Sequence, residues 1–385
     1  MRVVFTCIPQ TGHITPLMPL AEALAAQGDD VVVASGPDAE PAATKRGLSF
    51  RQVAPAFGEW FEALRRRTRG VPGDGLAPER VEGYFLPRLF GEVGMALMVD
   101  NLVEVCRELA PDLLIFDPLL FAAPLAGDVA SVPVAQHTVG PLTDPAVLAL
   151  VADAVSPIWR EFGRDVPPSA GVYNGTTLTI CPPSLDRAAT SLAGARQLRS
   201  TALPTSSAQP LTVELPRRGD PVVYVTLGTF SNNPDVFRLI LDALGDEPVN
   251  VVATIGTDND PQQLSPFPAN AVVERFIPQA ELLPHCAAAI HHAGAGTAFG
   301  ILAHGLPSVA LPQSADNFTI AGRLAVAEAS ITVMPGDVTG EALVTALRRV
   351  LSEPVYGSAS DRVAAEIAAM PSPAEVAAAL RAEHG

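Results

Sequence analysis

At 385 residues the chain is longer than one hydrophobic core usually grows, so two domains of ordinary size are expected. With 48% hydrophobic and 17% charged residues it has the material for packed interiors, which excludes a disordered chain. A formal net charge of -16 opposes binding to nucleic acid or to anionic membranes, so an anionic ligand has to be held by local donors.

The N-terminal apolar run from Met1 to Ile8 meets Pro9 too soon for a signal-peptide core or a membrane span. The four cysteines, Cys7, Cys106, Cys181 and Cys286, show neither metal spacing nor a disulfide framework. Both features point to a cytoplasmic protein. Short runs rich in Val, Ile and Ala alternate with longer helical patterns, the mark of an α/β fold with parallel sheets covered on both faces. Strands are expected at 2–8, 30–34, 112–116, 132–135 and 176–180, forming one doubly wound sheet. Between the first two, Leu17, Leu20, Ala21 and Leu24 recur at helical spacing from Pro16 to Gln27, and Gly28 supplies the stop. The stretch 201–221, rich in Pro, Ser, Thr and Arg, is the candidate linker. A second series of strands follows at 222–226, 249–255, 271–276, 287–291 and 308–310. The predicted division is a first domain over 1–205, a linker over 206–220, a second domain over 221–370, and a helix over 371–385 that packs back on the first domain.

The densest chemistry lies where a buried strand runs through His291-His292-Ala293-Gly294-Ala295-Gly296-Thr297 into a helix. Glycines let the backbone approach an anion, and the free amides and dipole of a first helical turn favour negative charge there. A diphosphate can be held this way without metal, although Gly294-x-Gly296 lacks the third glycine of a dinucleotide fingerprint and also reads as a tight turn. In the first half, Gln10-Thr11-Gly12-His13-Ile14-Thr15-Pro16 lies between strand and helix, at the carboxyl edge where doubly wound sheets bind ligands. A neutral imidazole at His13 could take a proton from a substrate hydroxyl; the alternative is a histidine that caps the helix. Asp117 ends a strand and precedes Pro118, which biases it toward an extended conformation at the same edge, where it could orient His13 or be an ordinary strand end.

The ordered set Phe276-Ile277-Pro278-Gln279, Leu282-Leu283-Pro284-His285, the His291 to Thr297 segment, Gly305-Leu306-Pro307 and Pro312-Gln313-Ser314-Ala315-Asp316-Asn317 resembles the donor signature of inverting family 1 glycosyltransferases. It is especially similar to the bacterial enzymes that attach deoxysugars to antibiotics and other secondary metabolites. The resemblance implies a GT-B fold, two Rossmann-like domains facing across a cleft, with a nucleotide diphosphate sugar as substrate and no cofactor. It further implies that His292 contacts the β-phosphate, that Gly296 and Thr297 contact the α-phosphate, and that Phe276 stacks on the base beside the Ile277 backbone. Asp316 would face the sugar hydroxyls. The family dipeptide is usually Asp-Gln, so the shorter Asn317 weakens the second sugar contact. Thr229, in Leu227-Gly228-Thr229, resembles a loop that approaches the diphosphate, or is a plain turn. His13 and Asp117 match a family dyad in which the carboxylate fixes the tautomer of the base. Plant-type enzymes place a ribose-gripping glutamate three residues past the phosphate-binding hydroxyl; here that residue is Gly300, which favours dTDP over UDP.

Phe57, Trp60, Phe61, Tyr84, Phe85 and Phe90 cluster where an apolar aglycone could pack, or are core. His137 either lines the acceptor side or is a satisfied structural histidine. Asp258-Asn259-Asp260 matches the DxD metal motif of another glycosyltransferase fold but sits in a polar loop and reads as solvated surface, so no metal site is expected. The expected partners are the nucleotide-sugar and a small-molecule aglycone, with no nucleic acid, no membrane and a possible homodimer. Two other readings share the scaffold: a sugar-nucleotide epimerase, and a catalytically silent partner that only binds nucleotide-sugar. The pairing of His13 with Asp117 favours transfer over both.

Overall fold

The computed structural model describes residues 1–68, 76, 78–199, 211, 213–228, 233–257, 259–314 and 316–385. The chain forms two compact units, the first from Met1–Cys181, Asp186–Ser200 and Met370–Gly385, the second from Pro182–Leu185 and Thr201–Ala369.

The first unit holds β1 (Arg2–Thr6), β2 (Asp30–Ser35), β3 (Ser49–Gln52), β4 (Leu113–Phe116), β5 (Val134–His137), β6 (Thr176–Thr179) and β7 (Ala195–Gln197) in a seven-stranded sheet of order β3-β2-β1-β4-β5-β6-β7. All its pairings are parallel. The second unit holds β8 (Val222–Thr226), β9 (Asn250–Thr254), β10 (Ala271–Glu274), β11 (Ala288–His291), β12 (Ser308–Ala310) and β13 (Ser330–Thr332), all parallel, in the order β10-β9-β8-β11-β12-β13. The central strands are almost wholly buried, as their unbroken Val, Ile and Ala runs require of a sheet covered on both faces. In both sheets the strand order reverses beside the first strand, between β1 and β4 and between β8 and β11. Doubly wound sheets take their ligands at such a reversal, at the carboxyl ends of the strands.

Three strands have no counterpart in the sequence reading, and all are edges: β3, β7 and β13, with burial that is partial or absent along most of their length. An edge strand has no need of a continuous apolar run, so its sequence carries little signal. The first helix also differs from expectation. It spans Thr11–Ala26, with Pro16 and Pro19 inside it, rather than beginning at Pro16. Proline is favoured at the first helical position, which misplaces the start when the true first turn is the polar Thr11-Gly12-His13.

Part of the expected linker, residues 206–210 and 212, lies outside the described residues. The described part is not a free tether. Leu211, Val213 and Leu215 pack on the apolar cluster around Val222, Tyr224 and Ile301. The Arg217 amide donates to Asn250 Oδ1 at 2.8 Å, and Asn250 Nδ2 donates back to the Arg217 carbonyl at 2.6 Å. At the other end of the chain, the helix Pro373–His384 begins with a capping box between Ser372 and Glu375 and packs on the helix Thr11–Ala26. Gln27 Nε2 donates to the Ala374 carbonyl at 2.9 Å, Arg381 lies 3.4 Å from Asp29, and Arg196 pairs with Glu383 at 2.6 Å. By length and composition the stretch Pro354–His384 could cross a bilayer, but it is two helices separated at 370–372 by Pro371 and the capping serine.

Candidate active site

In the first unit the chain leaves β1 at Thr6 and β4 at Phe116 in register, so Cys7 and Asp117 emerge side by side at the reversal of strand order. Asp117 is fully buried. Its Oδ2 accepts the Ile8 amide at 2.7 Å and its Oδ1 accepts the Leu119 amide at 2.8 Å, the second bond closing an Asx turn over Pro118, which has no amide to offer. The carboxylate is thereby fixed in plane and direction. His13 stands in the first turn of the helix Thr11–Ala26, its Nδ1 3.4 Å from Asp117 Oδ1, with 13% of its side chain open to solvent. The result is an oriented imidazole that a reactant can reach, backed by a carboxylate that cannot move away. The Cys7 thiol beside them is buried, and burial together with the Asp117 charge pushes its pKa upward, so it offers no thiolate nucleophile.

In the second unit β8 and β11 end in register at Thr226 and His291, and the loops beyond them hold the glycine turn. The helix Ala295–Ala303 starts from Gly294, whose extended backbone leaves the first amides of the helix without carbonyl partners inside it. Gly296 is exposed on that first turn, and Thr297 accepts at Oγ1 from Gln279 Nε2 at 3.4 Å. The His292 imidazole occupies space that ordinary side chains would fill. A Cβ on Gly228 would lie 2.5 Å from His292 Nε2, and one on Gly294 would lie 2.3 Å from the same atom. Gly228 is also in the left-handed region at φ +82°. These two glycines therefore seat the histidine, and Gly296, whose Cβ would meet no protein atom within 4 Å, is the one that leaves the surface open. Burial holds the pKa of His292 down to about 4, the Thr226 backbone offsetting this in part. At neutral pH the ring is an uncharged hydrogen-bonding group.

The pattern matches known proteins over the whole chain. The family model described as "Erythromycin biosynthesis protein CIII-like, N-terminal domain" matches residues 84–214, and its C-terminal counterpart matches residues 238–382. The chain is 31% identical to the L-demethylnoviosyl transferase of Streptomyces niveus over 398 aligned residues, covering 100% of this chain and 98% of that one. This chain belongs to the erythromycin biosynthesis protein CIII-like glycosyltransferases. It superposes on the glycosyltransferase SnogD from Streptomyces nogalater with a TM-score of 0.79 at 28% identity and on the glycosyltransferase VinC, solved in complex with dTDP, with a TM-score of 0.77 at 25% identity, each over 100% of both chains. The two parallel-sheet units are thus those of a GT-B glycosyltransferase.

Phe276 follows β10 and is 66% exposed, while the Ile277 side chain is buried in the core with Leu282 and Leu283. Asp316 is exposed at the start of the helix Asn317–Val326. Asn317 is buried, and in the amide orientation that satisfies both atoms its Nδ2 donates to the carbonyls of His292 and Ser314 at 3.2 and 3.1 Å, so it braces the turn. Thr229 and Asp258 lie outside the described residues. Asp260 accepts the Gln262 amide at 3.1 Å as the cap of a short turn, and no group of three His, Cys, Asp or Glu among the described residues is arranged to hold a metal.

The acceptor-side aromatics need a larger correction. Trp60 is fully buried and Phe57 nearly so, both in the core of the first unit, and a Cβ on Gly94 would fall 2.6 Å from the Trp60 ring. They are packing residues. Phe61, Phe85 and Phe90 are half-buried against them, Phe61 edge-on to Phe57 at 5.3 Å. Phe85 precedes and Phe90 lies within a π-helical stretch, Leu86–Gly94. His137 is fully buried at the end of β5, its Nδ1 2.8 Å from the Thr138 carbonyl and its pKa lowered by burial to about 4, so it lines no open surface. The sequence reading quoted Gly228 and His291 within their motifs but gave neither a role of its own, because the partner of Gly228 in space, His292, is far along the chain.

Proposed function

We propose that this glycosyltransferase moves a deoxysugar from a dTDP-sugar to a hydroxyl of an apolar natural-product aglycone with inversion and without metal. The observation that carries the chemistry is the His13–Asp117 pair. Asp117 holds the proton on Nδ1 and leaves the Nε2 lone pair to take the acceptor proton. As that O–H bond breaks, the oxygen attacks the anomeric carbon, the bond from that carbon to the diphosphate oxygen breaks, and dTDP departs. The imidazolium formed is stabilised by the fixed carboxylate.

The second unit supplies the donor half. The opened first turn of the helix Ala295–Ala303 and neutral His292 donate to the diphosphate, so negative charge is met by dipoles and hydrogen bonds instead of a cation. Exposed Phe276 stacks on the base and Asp316 meets the sugar hydroxyls. The preference for dTDP is supported by Gly300, which gives a ribose 2′-hydroxyl no acceptor; a Cβ there would lie 3.2 Å from Gln279 Oε1, so the glycine also accommodates that amide. The dTDP bound by VinC supports the same choice. The test is mass spectrometry of reactions with dTDP- and UDP-sugars and polyketide or polyphenolic acceptors in the presence of EDTA. Sugar-sized mass gains with dTDP-sugars are expected. Gains that appear only with UDP-sugars, or only after Mn²⁺ or Mg²⁺ is added, would overturn the donor or the metal-free part of the reading.

A further inference from the structure

We infer that His291, the last residue of β11, is a positioning residue for the donor site: its Nδ1 accepts the Ala293 amide and so holds the left-handed turn that sets His292 and the first turn of the helix Ala295–Ala303. The inference rests on the reading of that turn as the diphosphate site.

Ala293 has φ +64°, a region that its Cβ disfavours, and it is fully buried between the histidine pair and the helix. Such a backbone persists only where its surroundings over-determine it. The determining bond is on hand: the Ala293 amide donates to His291 Nδ1 at 3.1 Å. His291 is itself fully buried, so no water can replace that acceptor. Since Nδ1 accepts, the proton is on Nε2, which lies 3.1 Å from Ser308 Oγ on the neighbouring strand β12. The Ser308 carbonyl in turn accepts from Ser330 Oγ at 2.9 Å on β13. The Ala293 amide thus fixes the tautomer, and Ser308 on the neighbouring strand accepts the Nε2 proton and anchors the ring that holds the turn. Burial and the adjacent His292 lower the pKa of His291 to about 3, which keeps the ring neutral and able to accept across the working pH range. The geometry is that of an Asx turn, with imidazole Nδ1 standing where an asparagine Oδ1 would accept the amide two residues on.

This analogy sets the experiment. His291→Asn keeps an acceptor for the Ala293 amide and loses the Ser308 contact; His291→Leu loses both. By calorimetry, dTDP affinity should stay within about threefold for His291→Asn and fall about tenfold for His291→Leu, the size of one hydrogen bond to a charged group. Adding Ala293→Gly to His291→Leu should recover most of the affinity, because glycine adopts φ +64° without steric cost. A merely structural histidine predicts no such rescue. Ser308→Ala, which removes the partner of Nε2 and so loosens the ring while keeping its Nδ1 acceptor, should weaken dTDP binding severalfold and serves where His291→Leu does not fold. The assignment is overturned if His291→Leu or Ser308→Ala binds dTDP as tightly as wild type, or if neither asparagine nor Ala293→Gly restores binding. Wild type that binds no dTDP would instead overturn the diphosphate reading and, with it, the assignment of His291 to that site.

Discussion

Replacing Gly294 by alanine separates the seating of His292 from the opening of the surface. Gly294 has φ -67°, so alanine introduces no backbone strain, and the whole effect is steric. The new Cβ would sit 2.3 Å from His292 Nε2, 3.0 Å from Cε1 and 3.2 Å from Cδ2. Carbon contacts settle near 3.5 Å, so the ring has to withdraw by about 1 Å. Gly228 borders the same nitrogen from its own loop, where an added Cβ would lie 2.5 Å from it, so the space on that side is narrow. If His292 meets the reacting phosphates as proposed, a misplacement of about 1 Å costs on the order of 10²-fold in kcat/KM, about 2.7 kcal/mol of transition-state stabilisation. Overpacking itself should lower the stability of the second unit by about 1–3 kcal/mol. Initial rates with a dTDP-sugar, calorimetry with dTDP and thermal unfolding measure the three quantities. The control is Gly296→Ala, whose Cβ meets no protein atom, so any loss it shows reports on the ligand alone. Wild-type turnover and dTDP affinity in Gly294→Ala would refute the steric argument.

His13→Ala is expected to cut turnover by roughly 10² to 10⁴ while calorimetric dTDP affinity is kept, and wild-type turnover with chemistry rate-limiting would exclude His13 as the base. Asp117→Ala should follow in direction with a smaller loss, read in the same assay. Saturating EDTA should leave the rate unchanged; loss restored by Mn²⁺ or Mg²⁺ would direct attention to Asp258 and Asp260. His137, His291 and His292 have pKa values lowered to about 4, about 3 and about 4, below the usual value near 6.5. Between those limits the unfolded chain binds protons that the folded chain does not, so stability should fall as pH drops from about 6.5 toward about 4, by up to one proton per histidine. Denaturant midpoints at pH 7 and pH 5 check this, and equal midpoints would contradict it.

The interior of each sheet was legible because a strand covered on both faces writes itself as an unbroken run, as in Val222 to Thr226 or Ala288 to His291. The glycine turn was legible for a related reason: strand, turn and helix follow one another in the chain. What escaped were relations across the chain. Gly228 and Gly294 both seat His292, yet Gly228 is on a loop after another strand, and its motif does not say which residue it makes room for. His291 differs from His292 only in pointing back toward Ser308. Trp60 stood among aromatic neighbours that suggested a ligand wall, whereas its burial depends on Gly94, in a π-helical stretch that periodicity does not announce. Edge strands such as β3 and β13 left no pattern because half of each faces away from the core.

The return of the helix Pro373–His384 onto the helix Thr11–Ala26 has a consequence for biosynthesis. The helix that carries His13 leaves the ribosome early, but the surface that covers its flank arrives only after all of the second unit has been made. The first unit waits, with the flank of that helix uncovered, until residues beyond 370 have emerged. The first unit therefore closes last, and a nascent chain stalled before residue 370 lacks the segment Met370–Gly385 that completes it.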